Sequence, residues 1–64
     1  MEHKPTIRVL EILEALAAEN QGVSLTHLSE KTGILKGTIF PILKTLVEQR
    51  YISYDANTQL YNLG

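Results

Sequence analysis

Sixty-four residues with a net charge of −1 make one small domain, near the lower size limit for folding without a covalent or metal staple. The absence of cysteine excludes a disulfide framework and a thiolate metal site, and no apolar run approaches the ~18 residues of a membrane span. No secretory apolar stretch opens the chain, so a soluble cytoplasmic protein is expected. The charge is unevenly spread. Residues 1–30 set Lys4 and Arg8 against five glutamates, a balance of −3, whereas residues 31–64 set Lys31, Lys36, Lys44 and Arg50 against Glu48 and Asp55, a balance of +2.

Pro5 and Thr6 suit the opening turn of an amphipathic helix, where early N–H groups have no intrahelical partner to lose. Ile7, Leu10, Leu13 (with Ile12 beside it), Leu16 and Ala17 recur at three- and four-residue spacing, with Glu11 and Glu14 off that stripe. The run Glu19-Asn-Gln-Gly22 should end the helix, with Gly22 as the left-handed stop. Val23 to Leu25 is too short for a helix and is expected as a stub of β-structure. Thr26 is the expected N-cap of a second helix over about His27 to Thr32.

Between Ser24 and Leu43 the pattern centres on Gly33. Leu28 lies five residues before it and Ser29, small enough for a close helix crossing, four before; Ile34, Ile39 and Ile42 follow. These offsets turn four apolar side chains into one core while the glycine permits the turn, which is the pattern of a helix-turn-helix over about 25–49. The third helix begins at Lys36 or Thr38 and runs to Gln49. Pro41 favours a late start near Gly37 or Thr38, a helix over about 37–49 with the proline in its first turn, since a start at Lys36 would make Pro41 an interior kink. The inner face is Ile39, Ile42, Leu43, Leu46 and Val47; the outer face is Lys36, Gly37, Phe40, Pro41, Lys44 and Glu48.

Two β-like runs, Tyr51 to Tyr54 and Gln59 to Leu63, flank a turn of Asp55-Ala-Asn-Thr58, with alternation placing Ile52, Leu60 and Leu63 in register. Three helices followed by a hairpin give a mainly α fold with a small β-hairpin, a winged helix-turn-helix with its wing at about 51–63.

In order and in wording these segments resemble the N-terminal DNA-binding domain of the IclR family of bacterial transcription regulators. The resemblance rests on Arg8-Val-Leu-Glu-Ile-Leu-Glu-Ala-Leu16, Ser24-Leu-Thr-His-Leu-Ser-Glu-Lys-Thr-Gly33, Gly37-Thr-Ile-Phe-Pro-Ile-Leu-Lys-Thr-Leu-Val-Glu48 and Tyr61-Asn-Leu-Gly64, nearly the whole chain. In such regulators a linker helix and a larger effector-binding domain follow the final Leu-Gly. The resemblance therefore implies an isolated DNA-binding domain over 1–64, with the C-terminal effector-binding domain outside this chain. It also implies homodimers in the full-length protein, with the Val9, Ile12 and Ala15 face of the first helix as one candidate surface. Three positions depart from the family pattern. Pro41 stands where the family usually has arginine, Arg50 where it has a glycine after the helix, and Gln59-Leu60 where it often has Gly-Arg.

Candidate DNA contacts follow from these placements. Thr26 caps a helix whose free N–H groups suit a phosphate. Lys36, Gly37 and Thr38 open the recognition helix, where side chains and N–H groups meet backbone or base edges. Phe40 either meets a thymine methyl or a sugar, or packs beneath the wing or the Pro41 ring. Pro41 shares that outer face, and Lys44 and Thr45 lie one turn on, in reach of phosphate. Arg50, Asn57, Thr58 and Gln59 are candidates for wing contacts, or a plain polar turn.

Nothing in the chain suggests an enzyme, a cofactor or a metal: His3 and His27 stand apart with no ligand spacing, and Glu11 and Glu14 have no pocket to shift their pKa values. The expected partner is double-stranded DNA carrying a pseudo-palindromic operator, with any small-molecule effector bound only by the C-terminal domain and no membrane contact. The near-neutral charge and the missing arginines also admit a winged-helix module that binds protein instead.

Overall fold

The His3 backbone, extended at φ −99°, launches the first helix, and Pro5 falls within its first two positions, where a missing N–H is harmless. In the computed structural model, which describes residues 1–63, the elements are α1 (Lys4–Ala17), α2 (Leu25–Thr32), α3 (Lys36–Glu48), β1 (Ile52–Asp55) and β2 (Leu60–Leu63). Gly64, the last residue of the Tyr61-to-Gly64 run, lies outside the described residues.

α1 packs on α2 and β2, α2 on α3, and α3 on β1, so the three helices and the hairpin close over one core. That core is Ile12, Ala15, Leu16, Val23, Leu28, Ile39, Leu43, Ile52 and Tyr61, with Ile34 and Ile42 packed against it. The stripe of α1 is rotated from the expected one. Ile7 and Leu10 face solvent at 36% and 49% exposure, while Ile12 and Ala15 are buried, so the latter two are not available as a dimer surface. The physical reason is that the apolar arc of α1 runs from Ile12 and Leu16 round to Leu10 and Ala17, wider than the face that α2 and β2 cover, so spacing alone leaves the phase of its buried face undetermined.

Helix α1 ends at Ala17 with right-handed Ala18 after it, several residues before Gly22. Gly22 is left-handed as expected (φ +96°), yet it serves β2 rather than the helix. A Cβ there would lie 2.9 Å from Asn62 Nδ2 and 3.0 Å from Leu60 Cβ. The turn brings Val23 beside Tyr61, whose backbone it pairs in both directions, Val23 N–H to Tyr61 O at 2.9 Å and Tyr61 N–H to Val23 O at 2.8 Å. The expected β-stub is thus a one-residue third strand.

Pairing also holds Ser24 extended (ψ 161°), and Ser24 rather than Thr26 caps α2: its Oγ accepts from His27 N–H at 3.1 Å. Thr26 is the second residue of the helix. At the other end Gly33 adopts φ +74° and donates to Ser29 O at 2.9 Å, while Ser29 Oγ reaches across the turn to Ile34 O at 2.7 Å. The small residue before the turn is therefore a hydrogen-bonding brace as well as a close-packing one.

Helix α3 starts at Lys36 and ends at Glu48, so Pro41 is interior rather than in the first turn. The residue that loses its partner N–H is Gly37, four positions earlier and exposed to solvent. Beyond α3, Arg50 N–H bonds Val47 O at 3.0 Å and Tyr51 N–H bonds Leu46 O at 2.9 Å. These two bonds form a Schellman motif with Arg50 left-handed (φ 67°) in the position glycine usually fills.

The hairpin pairs Ile52 with Leu63, Ser53 with Asn62, Tyr54 with Tyr61 and Asp55 with Leu60. Cross-strand partners share a face, so Ile52 and Tyr61 face the core and Leu60 falls on the opposite side from Ile52, contrary to the expected register. The four-residue connection is closed by Gln59 N–H to Asp55 O at 2.7 Å and Asn57 N–H to Asp55 Oδ1 at 2.8 Å, with Gln59 left-handed at φ 59°.

Candidate nucleic-acid interface

Burying Ile39 and Leu43 fixes the rotation of α3, and the rest of the helix follows from it. Lys36, Gly37, Phe40, Pro41, Lys44, Thr45 and Glu48 form one continuous exposed stripe, with Thr38 half-buried at its edge. Phe40 is 49% exposed, which is costly for a side chain with nothing to meet. Thr45 Oγ1 donates to Pro41 O at 3.0 Å, so its hydroxyl hydrogen is already engaged.

Phe40 lies on a cleft of about 380 Å³ between α3 and the wing, lined also by Lys44, Val47, Glu48, Tyr54 and Tyr61. A second cleft, of about 360 Å³, joins Phe40 to Thr26 at the start of α2 and to Thr58 and Gln59 on the wing. The structure therefore brings Thr26, Phe40, Lys44, Thr58 and Gln59 around one concave edge. Pro41 and Thr45 line the opposite flank of α3, facing Val9 of α1. Lys36, Gly37, Thr38, Arg50 and Asn57 line neither wing-side cleft; Lys36 and Gly37 lie at the exposed start of α3, and Arg50 and Asn57 are exposed at the base and tip of the wing.

Sequence reasoning did not place Tyr54 in the site. Its ring lies 4.6 Å from that of Tyr61, tilted by 42°, and both line the clefts beside Phe40. The available signal was the hairpin register, since Tyr54 two residues after buried Ile52 must share its face. Burial, with a smaller contribution from Tyr54, pushes the Tyr61 hydroxyl above its ordinary value.

The electrostatics divide along the same line. Lys31 is drawn away from the stripe by Glu19, 3.4 Å from its ammonium, and His27 Nε2 donates to the same Glu19 oxygen at 2.7 Å. The His27 hydrogen bond is the main reason the Glu19 carboxyl sits below its ordinary value of 4.5; desolvation opposes it and Lys31 adds to it. Among the described residues Lys36, Lys44 and Arg50 take part in no ion pair. The start of α3 has no side-chain cap and no acidic residue in its first turn, and it carries Lys36 where the helix dipole is already positive. Among the described residues no group of three or more histidines and carboxylates is placed to hold a metal ion.

Three helices, a glycine turn between the second and third, and a two-stranded wing beside the third define a winged helix-turn-helix domain. The model of the IclR helix-turn-helix domain matches residues 5–56, and the chain belongs to that family of DNA-binding domains. In structure it is similar to an IclR transcriptional regulator from Alicyclobacillus acidocaldarius, with a TM-score of 0.88 and 26% identity over 100% of this chain. The chain spans 26% of the length of that regulator. No curated protein matches it. No helix among the described residues is long and apolar enough to cross a membrane.

Proposed function

We propose that the chain, over 1–64, is the sequence-specific double-stranded DNA reader of a cytoplasmic transcription regulator, with α3 in the major groove. The start of α3 carries this reading. An uncapped helix N-terminus bearing Lys36, next to open Gly37, is unfavourable for a free domain and suits a phosphate against the exposed stripe. α2 then braces α3 and offers Thr26 to the backbone, Lys44 reaches phosphate one turn further on, and Arg50, Asn57, Thr58 and Gln59 approach the flanking strand.

A domain this small buries little surface on DNA, so useful affinity calls for two copies on a pseudo-palindromic operator. Ile7 and Leu10, the exposed apolar residues of α1, are the surface available for that dimer. The larger regulator would bind its small-molecule effector in a C-terminal domain, and this domain would do no catalysis.

The reading is tested by fluorescence anisotropy of the chain against random duplex DNA at two salt concentrations, with Lys36→Glu/Lys44→Glu as the comparison. Salt-sensitive binding that the double substitution abolishes supports it. The apolar cleft of Phe40, Val47, Tyr54 and Tyr61 favours a second reading, a module that docks a protein segment. That reading gains if DNA binding is absent or indifferent to both lysines.

A further inference from the structure

The chemistry of the α3 stripe narrows what kind of DNA it can read. Hydrogen-bond discrimination in the major groove relies chiefly on side chains that engage two groups at once: arginine or lysine for guanine, asparagine or glutamine for adenine. Arginine, asparagine and glutamine are absent from the exposed face of α3, whose residues are Lys36, Gly37, Phe40, Pro41, Lys44, Thr45 and Glu48, so donor readout there falls to the two lysines alone. The two lysines flank the centre by four residues on either side of Phe40 and act as point charges. Glu48, at the far end, only accepts. Thr45 has given its hydroxyl hydrogen to Pro41 O at 3.0 Å, so its exposed side chain offers a base only an acceptor oxygen and a methyl. The stripe thus carries a phenyl ring on its wing side and a pyrrolidine ring and a methyl group on its α1 side.

Resting on the DNA reading above, we infer that this domain is specific for thymine, recognising C5-methyl groups in the major groove through the exposed ring of Phe40. The thymine methyl is the one apolar group that an unmodified base pair offers on that edge. Lys36 and Lys44 then set the register on phosphates while the apolar centre supplies the discrimination. An A·T-rich half-site follows, chosen for its methyl groups rather than for its donors and acceptors.

The test uses duplexes selected from a randomised pool by retention on the protein, then resynthesised with deoxyuridine in place of single thymines. That replacement removes a methyl and leaves every hydrogen-bonding edge intact. At a contacted position the affinity should fall on the order of three- to four-fold per methyl, the ordinary contribution of one buried methylene. Phe40→Ala should bring thymine and uracil to within about two-fold of each other, and Phe40→Leu, which keeps an apolar contact, should retain part of the difference. Circular dichroism shows whether each variant is folded. Selected half-sites without thymine, equal affinity for thymine and uracil duplexes, or undiminished discrimination by folded Phe40→Ala each overturn the inference while leaving DNA binding in place. Absence of salt-dependent binding to any duplex overturns the DNA reading itself, and the inference with it.

Discussion

Replacing Arg50 separates what its backbone costs from what its side chain does. Arg50 holds φ 67° because the Schellman bonds from Arg50 N–H and Tyr51 N–H require a left-handed residue between α3 and β1. For a residue with a Cβ that conformation costs about 1–2 kcal/mol, and glycine adopts it freely. Glycine also gains freedom in the unfolded chain, which offsets about 0.5–1 kcal/mol of the relief. Arg50→Gly should therefore be more stable than Arg50→Ala, which keeps the strain, by roughly 0.5–1 kcal/mol, or about 2–8 °C in melting temperature for a domain of this size. Thermal unfolding followed by circular dichroism gives the comparison. On DNA the two variants should be alike, since both lose the cation. If Arg50 meets a phosphate, each lowers the slope of log affinity against log salt by about 0.9. A glycine variant no more stable than the alanine variant would refute the strain argument. An unchanged salt slope in both would remove Arg50 from the interface.

Pro41→Ala should raise stability by about 2–3 kcal/mol, since an interior proline costs about 3 kcal/mol and its stiffening of the unfolded chain returns up to about 1; urea unfolding measures it, and a destabilised variant would mean the α3 backbone depends on the ring. Gly22→Ala should cost about 2–3 kcal/mol, because a Cβ meets Leu60 and Asn62 at 3.0 and 2.9 Å on a backbone already at φ +96°; retention of the wild-type melting temperature would contradict it. Glu19→Gln should lower stability at neutral pH and lose that effect in acid. A carboxyl whose folded pKa lies below 4.5 stabilises above the unfolded value, and the contribution disappears as pH falls through the folded one. Melting temperatures of both proteins between pH 7 and pH 3 should converge at the acid end, and a constant gap would show that the carboxylate charge is not involved.

Much of this fold is legible from residues alone, and the exceptions share a cause. α3 reads correctly as to faces because its aliphatic residues Ile39, Ile42, Leu43, Leu46 and Val47 share one side, so burying Ile39 and Leu43 leaves one stripe outside, Phe40 and Pro41 included. α1 misleads because Ile7, Leu10 and Ala17 make its far side apolar too, and only the packing of α2 and β2 selects Ile12, Ala15 and Leu16. Ser24 and Thr26 are both competent caps in isolation, serine somewhat the better. The choice falls to Ser24 because Val23 is clamped to Tyr61, a contact 38 positions away along the chain. The wing register turns on Gln59, whose left-handed conformation no β-pattern announces in a glutamine. In the site, the stripe from Lys36 to Lys44 is local and could be read; the cleft joining Thr26, Phe40, Tyr54 and Gln59 depends on three elements meeting and could not.

The charge of this domain constrains how it can hold DNA at all. Three cations, Lys36, Lys44 and Arg50, lie in the α3 and wing region without an ion-pair partner among the described residues. If all three neutralise phosphates, the salt slope is about −2.7, so affinity falls only about forty-fold between 50 and 200 mM salt; six to ten contacts would lose about 10³–10⁵. Counterion release from one copy therefore supplies little of the binding free energy. The remainder has to come from apolar contact at Phe40 and Pro41 and from a second copy on the same duplex. Only the apolar contact is insensitive to salt, since a second copy brings its own three cations and steepens the slope to about −5.4. A domain bound chiefly through three lysine and arginine contacts would be released by modest salt, whereas one held by ring-to-methyl contacts and pairing would keep its discrimination while its absolute affinity declines.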